Sequence, residues 1–161
     1  MTATEESTHR EHERLRLLVL AAQRDGARRL ADSLRPAELT PSQAEMLGVL
    51  ADSGPMSLTE LGRRIVCENG SPSRTIDLLT RRGLVNRLQS PHDRRFVELE
   101  ITEAGRTLLP TVVEGVRALD ERISSALPAE ERTELCRLLS RLLEGTPDLT
   151  AIELRCGPMA D

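Results

Sequence analysis

Arg74, Asp77 and Arg81 stand three and four residues apart, the spacing that puts side chains on one face of a helix, and Asp93-Arg94-Arg95 follow in a run of turn residues. A guanidinium is a planar fork of donors matching phosphate oxygens and the major-groove edge of guanine, so two on one face suit nucleic acid. Ser71, Ser73 and Thr75 add hydroxyls at the start of the same stretch, where the free amides of a helix N-terminus favour a phosphate. Asp77 can orient the arginines or accept from a cytosine amino group. The same residues also admit a plainer reading as an ion-paired, solvated helix face, because exposed pairs of this kind are common and weak. The second cluster tips the balance: an arginine at a hairpin tip, its rotamer fixed by Asp93, can enter the narrow minor groove, where the negative potential is strongest.

The net charge of −4 argues at first against a polyanionic partner. Its distribution reverses that argument. Residues 57–96 hold eight arginines against four acids, a local balance of +4, and the remainder holds 14 against 22. All 22 basic residues are arginine.

Other chemistries find less support. His9 and His12 with Glu13 could share a helix face and hold a metal, and oxidation of Cys67 could displace the helix that follows it; exposed histidines and a packed thiol are the plainer readings. Cys136 sits beside a leucine stripe, and Cys156 lies near the end of the chain. Three cysteines without a close pair argue against a disulfide framework or a four-thiolate zinc site. There is no nucleophile elbow, phosphate loop or Cys/His pair, so neither an enzyme nor a cofactor is expected. No apolar run approaches the roughly 20 residues that cross a bilayer, and the polar start has no signal-peptide stretch. The expected location is cytoplasmic, with no membrane partner.

These residues need a scaffold, and the periodicity supplies one. With one aromatic residue, Phe96, the core must be aliphatic, which suits helices. Leu15, Leu18, Val19, Ala22, Leu30 and Leu34 predict a long first helix ending before Pro36. Thr40-Pro41-Ser42-Gln43 and Ser57-Leu58-Thr59-Glu60 read as capping boxes, the first opening a helix that Ser53-Gly54-Pro55 stops, the second a short helix through Leu61 and Ile65. After the turn at Glu68-Asn69-Gly70, Ser71-Pro72 opens a helix from 72 to about 82, completing a helix-turn-helix. The period then becomes two: Leu84 to Gln89 and Val97 to Ile101 form a hairpin whose charged tip is Ser90-Pro91-His92-Asp93-Arg94. Thr102 caps a helix of about six turns through Leu108, Val112, Val116 and Ile123, which Pro110 should bend or loosen. Pro128 begins another, running through Leu135, Leu138 and Leu142 to Gly145, and the tail from Thr146 to Asp161 shows no clear period.

The fold expected is mainly α with a small β-hairpin wing. The run Ile76-Asp77-Leu78-Leu79-Thr80-Arg81-Arg82-Gly83-Leu84-Val85, then Asp93-Arg94-Arg95, then Leu99-Glu100-Ile101-Thr102-Glu103-Ala104-Gly105, resembles the signature of the MarR family of winged-helix regulators. The resemblance implies one domain over residues 1–145: a winged helix-turn-helix lobe at 40–101, and flanking helices at 8–35 and 103–145 that entwine in a homodimer. It implies that Asp93 and Arg95 are the wing pair, Arg95 the minor-groove arginine, and that Ser71, Ser73, Arg74 and Thr75 take major-groove and phosphate positions on double-stranded DNA. It also implies an effector pocket between the dimer helices and the lobe, here expected to be aliphatic. Dimerisation has its own physical ground, since leucine and valine stripes outside a small lobe would leave a large apolar patch in water. A metal- or thiol-responsive sensor on the same scaffold, and a winged-helix module that binds protein rather than DNA, stay open as alternatives.

Overall fold

Local capping chemistry sets the frame of the molecule. The computed structural model describes residues 3–66, 71–89 and 97–158. Its first helix, α1 (Ala3–Leu34), starts earlier than the apolar spacing alone predicts, because the Glu and Arg residues of the polar start are themselves good helix formers. A 3-10 turn at Arg35–Ala37 follows, and Glu38 takes a left-handed backbone (φ 53°) that redirects the chain. Thr40 Oγ1 accepts the Gln43 amide at 3.3 Å while Gln43 Oε1 accepts the Thr40 amide at 3.0 Å, the reciprocal cap of α2 (Pro41–Ser53). Ser57 and Glu60 repeat the device at α3 (Leu58–Gly62), which stops short of Ile65 although Ile65 is still buried.

The recognition segment comes next. Ser71 precedes α4 (Pro72–Arg81), with Pro72 in the first turn, where its missing amide costs no helix bond. Then β1 (Val85–Gln89) pairs antiparallel with β2 (Val97–Ile101), Val85 opposite Ile101 and Gln89 opposite Val97. Met56 adds one bridge to β2, exchanging hydrogen bonds of 3.2 and 2.7 Å with Leu99. Leu47 and Leu50 of α2, Leu61 of α3, Ile76 and Leu79 of α4 and Val85 of β1 are fully buried in one aliphatic core, so the lobe that carries α4 is a packed unit.

Beyond the wing the structure departs from the expected single helix of six turns. Thr102 caps a short α5 (Glu103–Arg106), the chain breaks at Thr107 and Leu108, and α6 (Leu109–Ala126) starts afresh with Pro110 in its first turn. A proline lacks the amide and crowds the carbonyl four residues earlier, so a helix boundary satisfies it where a bend would not. α7 (Ala129–Leu142) follows as expected. The tail is also helical: α8 (Pro147–Cys156) opens with Thr146 Oγ1 accepting the Leu149 amide at 3.3 Å and Pro147 in the first turn, the same Thr-Pro device that opens α2.

The outer helices contribute little to the core. α7 buries no residue, and Leu138 and Leu142 on it, Leu15 and Leu18 on α1 and Val113 and Val116 on α6 are all exposed in the single chain. Among the described residues no helix is long and apolar enough to cross a membrane.

Candidate nucleic-acid interface

α4 is ten residues, about 15 Å of rod, and its two faces are chemically distinct. Thr75, Ile76 and Leu79 are buried against the lobe, while Ser71, Arg74, Leu78 and Arg81 form a continuous exposed ridge along it. Ser73 and Asp77 flank the ridge, half-buried. Neither Arg74 nor Arg81 meets an acid among the described residues, so both guanidinium groups present unspent donors to solvent. Ser71 makes no side-chain cap bond at the start of α4. Its hydroxyl stands beside the free first-turn amides that attract a phosphate.

Two expectations change here. Thr75, placed by resemblance among the contacting residues, is buried: its amide bonds the Ser71 carbonyl at 3.2 Å and its side chain lies on the packing face with Leu79, one helical turn on. Asp77 neither orients Arg74 or Arg81 nor stands free. Its carboxylate takes Arg87 Nη2 of β1 at 2.6 Å and ties the recognition helix to the stem of the wing. Asp93, Arg94 and Arg95, with His92, lie outside the described residues, as does Cys67.

The elements that hold α4 were not evident as such in the sequence. Arg82, the residue after the helix, donates Nη1 to the Glu38 carbonyl at 2.7 Å and Nη2 to the Ala37 carbonyl at 3.2 Å, bracing α4 against the corner where α1 turns into α2. At Gly83 the backbone turns left-handed (φ 69°), and Thr102 Oγ1 donates to its carbonyl at 2.7 Å while accepting the Gly105 amide at 3.0 Å. Gly105 has no room for a side chain: a Cβ there would overlap the Leu84 carbonyl and come within 2.7 Å of Ile101 Cγ1. The Thr-x-x-Gly of the signature thus clamps the end of α4, the wing and α5 together. After α3, Glu45 of α2, its side chain almost wholly buried, accepts the Val66 amide at 3.0 Å and Arg155 Nη1 of α8 at 2.5 Å. One carboxylate therefore joins α2, the segment that follows α3 and the C-terminal helix.

The remaining candidates are dispersed. A cleft of about 290 Å³ between α1 and α6 is walled by Arg29, Asp32, Ser33, Gly115, Leu119 and Arg122. It is bounded by two of the outer helices, whereas the pocket implied by the resemblance lies between those helices and the lobe. The Arg29 hydrogen bond, helped by Arg28, holds the nearby Asp25 carboxyl below the usual aspartate range. His9, His12, Glu13 and Arg16 border a second cleft on α1, but among the described residues no group of three or more His, Cys, Asp or Glu is arranged to hold a metal. Cys136 and Cys156 are free and exposed in the single chain.

Comparison with known proteins follows the same residues. Positions 39–97, from the start of the lobe into β2, match the MarR family. The chain is 32% identical over 107 residues to the HTH-type transcriptional repressor NicR of Pseudomonas putida, 66% of this chain and 68% of that protein. It is 34% identical over 99 residues to the HTH-type transcriptional regulator MhqR of Bacillus subtilis, covering 61% and 67% respectively. A mutant MarR from E. coli, solved in complex with operator DNA, shares the fold with a TM-score of 0.73 at 26% identity, over 83% of this chain and 96% of that one. A probable transcriptional regulator from Pseudomonas aeruginosa gives 0.69 at 27% identity, over 78% and 94%.

Proposed function

The chain belongs to the MarR family of DNA-binding transcriptional regulators, and from that premise we propose that it is a homodimeric, ligand-responsive repressor of a pseudo-palindromic operator. One observation carries the proposal: the exposed ridge of α4 presents Arg74 and Arg81 without an acidic partner among the described residues, on a helix held by Arg82 at its end and by Asp77 in its middle. Major-groove width admits one such helix, whose ridge side chains reach base edges while hydroxyls and amides at its start take phosphates. The relative solved on operator DNA has this fold, which supports the same use of α4 here. In this reading Arg95, oriented by Asp93, enters the minor groove beside it, with Arg94 at the phosphates.

The dimer is inferred from the faces left in water. Residues 8–35 and 103–145 carry the exposed leucines and valines of α1, α6 and α7, and a twofold partner would cover them while the lobe, 40–101, faces DNA. At about 1 kcal/mol for each half-exposed aliphatic side chain, six per subunit supply a strong drive to associate. Two subunits then offer recognition helices about 34 Å apart, matching successive major grooves. The cleft between α1 and α6 touches the helices that set that spacing, so a small molecule there would shift the population of DNA-competent dimers. Such a regulator works in the cytoplasm.

Selection of bound sequences from a random duplex pool tests the reading. An inverted repeat should emerge, and Arg74→Ala or Arg81→Ala should relax its sequence preference by about 1 to 3 kcal/mol for each lost base contact. Recovery of no consensus at low salt, or equal preference in wild type and both variants, would remove α4 from the interface.

A further inference from the structure

Leu78 sits in the middle of the ridge of α4, four residues after Arg74 and three before Arg81, and 45% of it is exposed. The other large aliphatic residues of this helix, Ile76 and Leu79, are fully buried, so Leu78 adds nothing to the core that its neighbours supply. It is also remote in kind from the exposed leucines of α1, α6 and α7. Those form stripes with one another, whereas Leu78 is flanked along its own face by two cations. A second protein chain would have to bury both arginines to reach it. A duplex would not, because the phosphates and guanine edges that neutralise Arg74 and Arg81 lie on either side of the groove floor that Leu78 would face.

The groove floor offers Leu78 one complementary group. Base edges in the major groove show donors, acceptors and, at thymine alone, a methyl. Leucine can neither donate nor accept, and pressed against a cytosine amino or guanine carbonyl it would strip water from a polar group without replacing the bond. Building on the reading of α4 as the recognition helix, we propose that Leu78 is a specificity-determining residue that selects thymine by contact with its C5 methyl, at one position in each half-site. The arginines supply affinity and guanine readout on either side, and Leu78 fixes a thymine between them.

Replacing thymine by deoxyuridine in the selected operator removes the methyl and leaves every hydrogen-bonding group in place. Each thymine pair of the inverted repeat is replaced in turn, symmetrically, and binding is measured at one salt concentration for wild type and Leu78→Ala. An alanine is well tolerated at an exposed helix position, and the wild-type scan itself needs no variant. The expected result is one position in each half-site at which wild type loses about fourfold per methyl, and at which Leu78→Ala, already weakened on the thymine operator, loses nothing more. Parallel losses in the two proteins at every position, or a consensus without thymine under α4, would overturn the assignment of Leu78. Arg74→Ala and Arg81→Ala in the same assay separate the two layers of the argument. If they weaken binding while the methyl scan is flat, Leu78 alone is misassigned; if they too are without effect, the reading of α4 falls, and the role of Leu78 with it.

Discussion

Replacing Arg82 by alanine separates an arginine that builds the recognition surface from those that use it. Its guanidinium donates to the carbonyls of Ala37 and Glu38 at 3.2 and 2.7 Å, both left without helical partners by the turn that ends α1. A hydrogen bond with a charged partner contributes about 1.5 to 3 kcal/mol in a buried setting. Arg82 is largely exposed, so water competes for both bonds, and about 1 to 2 kcal/mol for the pair is the reasonable figure. In a chain of 161 residues that lowers the melting temperature by roughly 2 to 8 °C. Arg82→Lys keeps the charge but not the fork and should recover less than half of the loss. The assay pairs thermal unfolding with binding to operator and scrambled duplexes. Arg82→Ala should unfold early and bind both duplexes more weakly by a similar factor, whereas Arg74→Ala should unfold normally and lose mainly the operator. An unchanged melting temperature together with a lost preference for operator would refute the bracing role and make Arg82 a base reader.

Three further outcomes follow from the geometry. Gly105→Ala forces a methyl into the Leu84 carbonyl and Ile101, and denaturant titration should show a loss of about 1 to 3 kcal/mol; a neutral result would mean that α5 can back away from the wing. A thermodynamic cycle on Glu45→Gln and Arg155→Ala should give a coupling near 1 kcal/mol, because one partner is almost buried and the other is partly in water; additive effects would detach α8 from α2. The Ser57 amide, and then its hydroxyl, hold the Glu60 carboxyl below the ordinary glutamate range, so its capping contribution is present above the unfolded pKa and fades as pH falls through the folded one. Glu60→Gln should therefore be less stable than wild type near neutrality, and the gap should narrow as pH falls below the ordinary glutamate range; a pH-independent gap would count against it.

Where a feature depended on neighbours in sequence, it could be read from the sequence. The boxes at Thr40 to Gln43 and Ser57 to Glu60 close within four residues, and both formed as the residue types require. The alternation after Leu84 gave the paired strands for the same reason. Features set by distant partners were opaque. Asp77 looked like a neighbour of Arg74 and Arg81, but Arg87 on the next element takes its carboxylate, and Arg82 looked like one more basic residue until the fold brought the Ala37 and Glu38 carbonyls under it. The burial of Thr75 follows from helix phase: it lies four residues before Leu79, on the side that packs. That same phase, counted from Arg74 to Leu78 to Arg81, is the signal that would have put Leu78 on the ridge. The helix at Pro147–Cys156 had a readable start in Thr146-Pro147, and was obscured by a short apolar pattern that a long-helix criterion passes over.

A hydroxyl-radical footprint on the selected operator, taken with the mass of the complex across a salt series, tests the central claim most directly. Two chains on one duplex should leave two symmetric protections centred about 10 base pairs apart, with an affinity that falls steeply as salt rises. One chain protecting a single side, or a complex indifferent to salt, would contradict it.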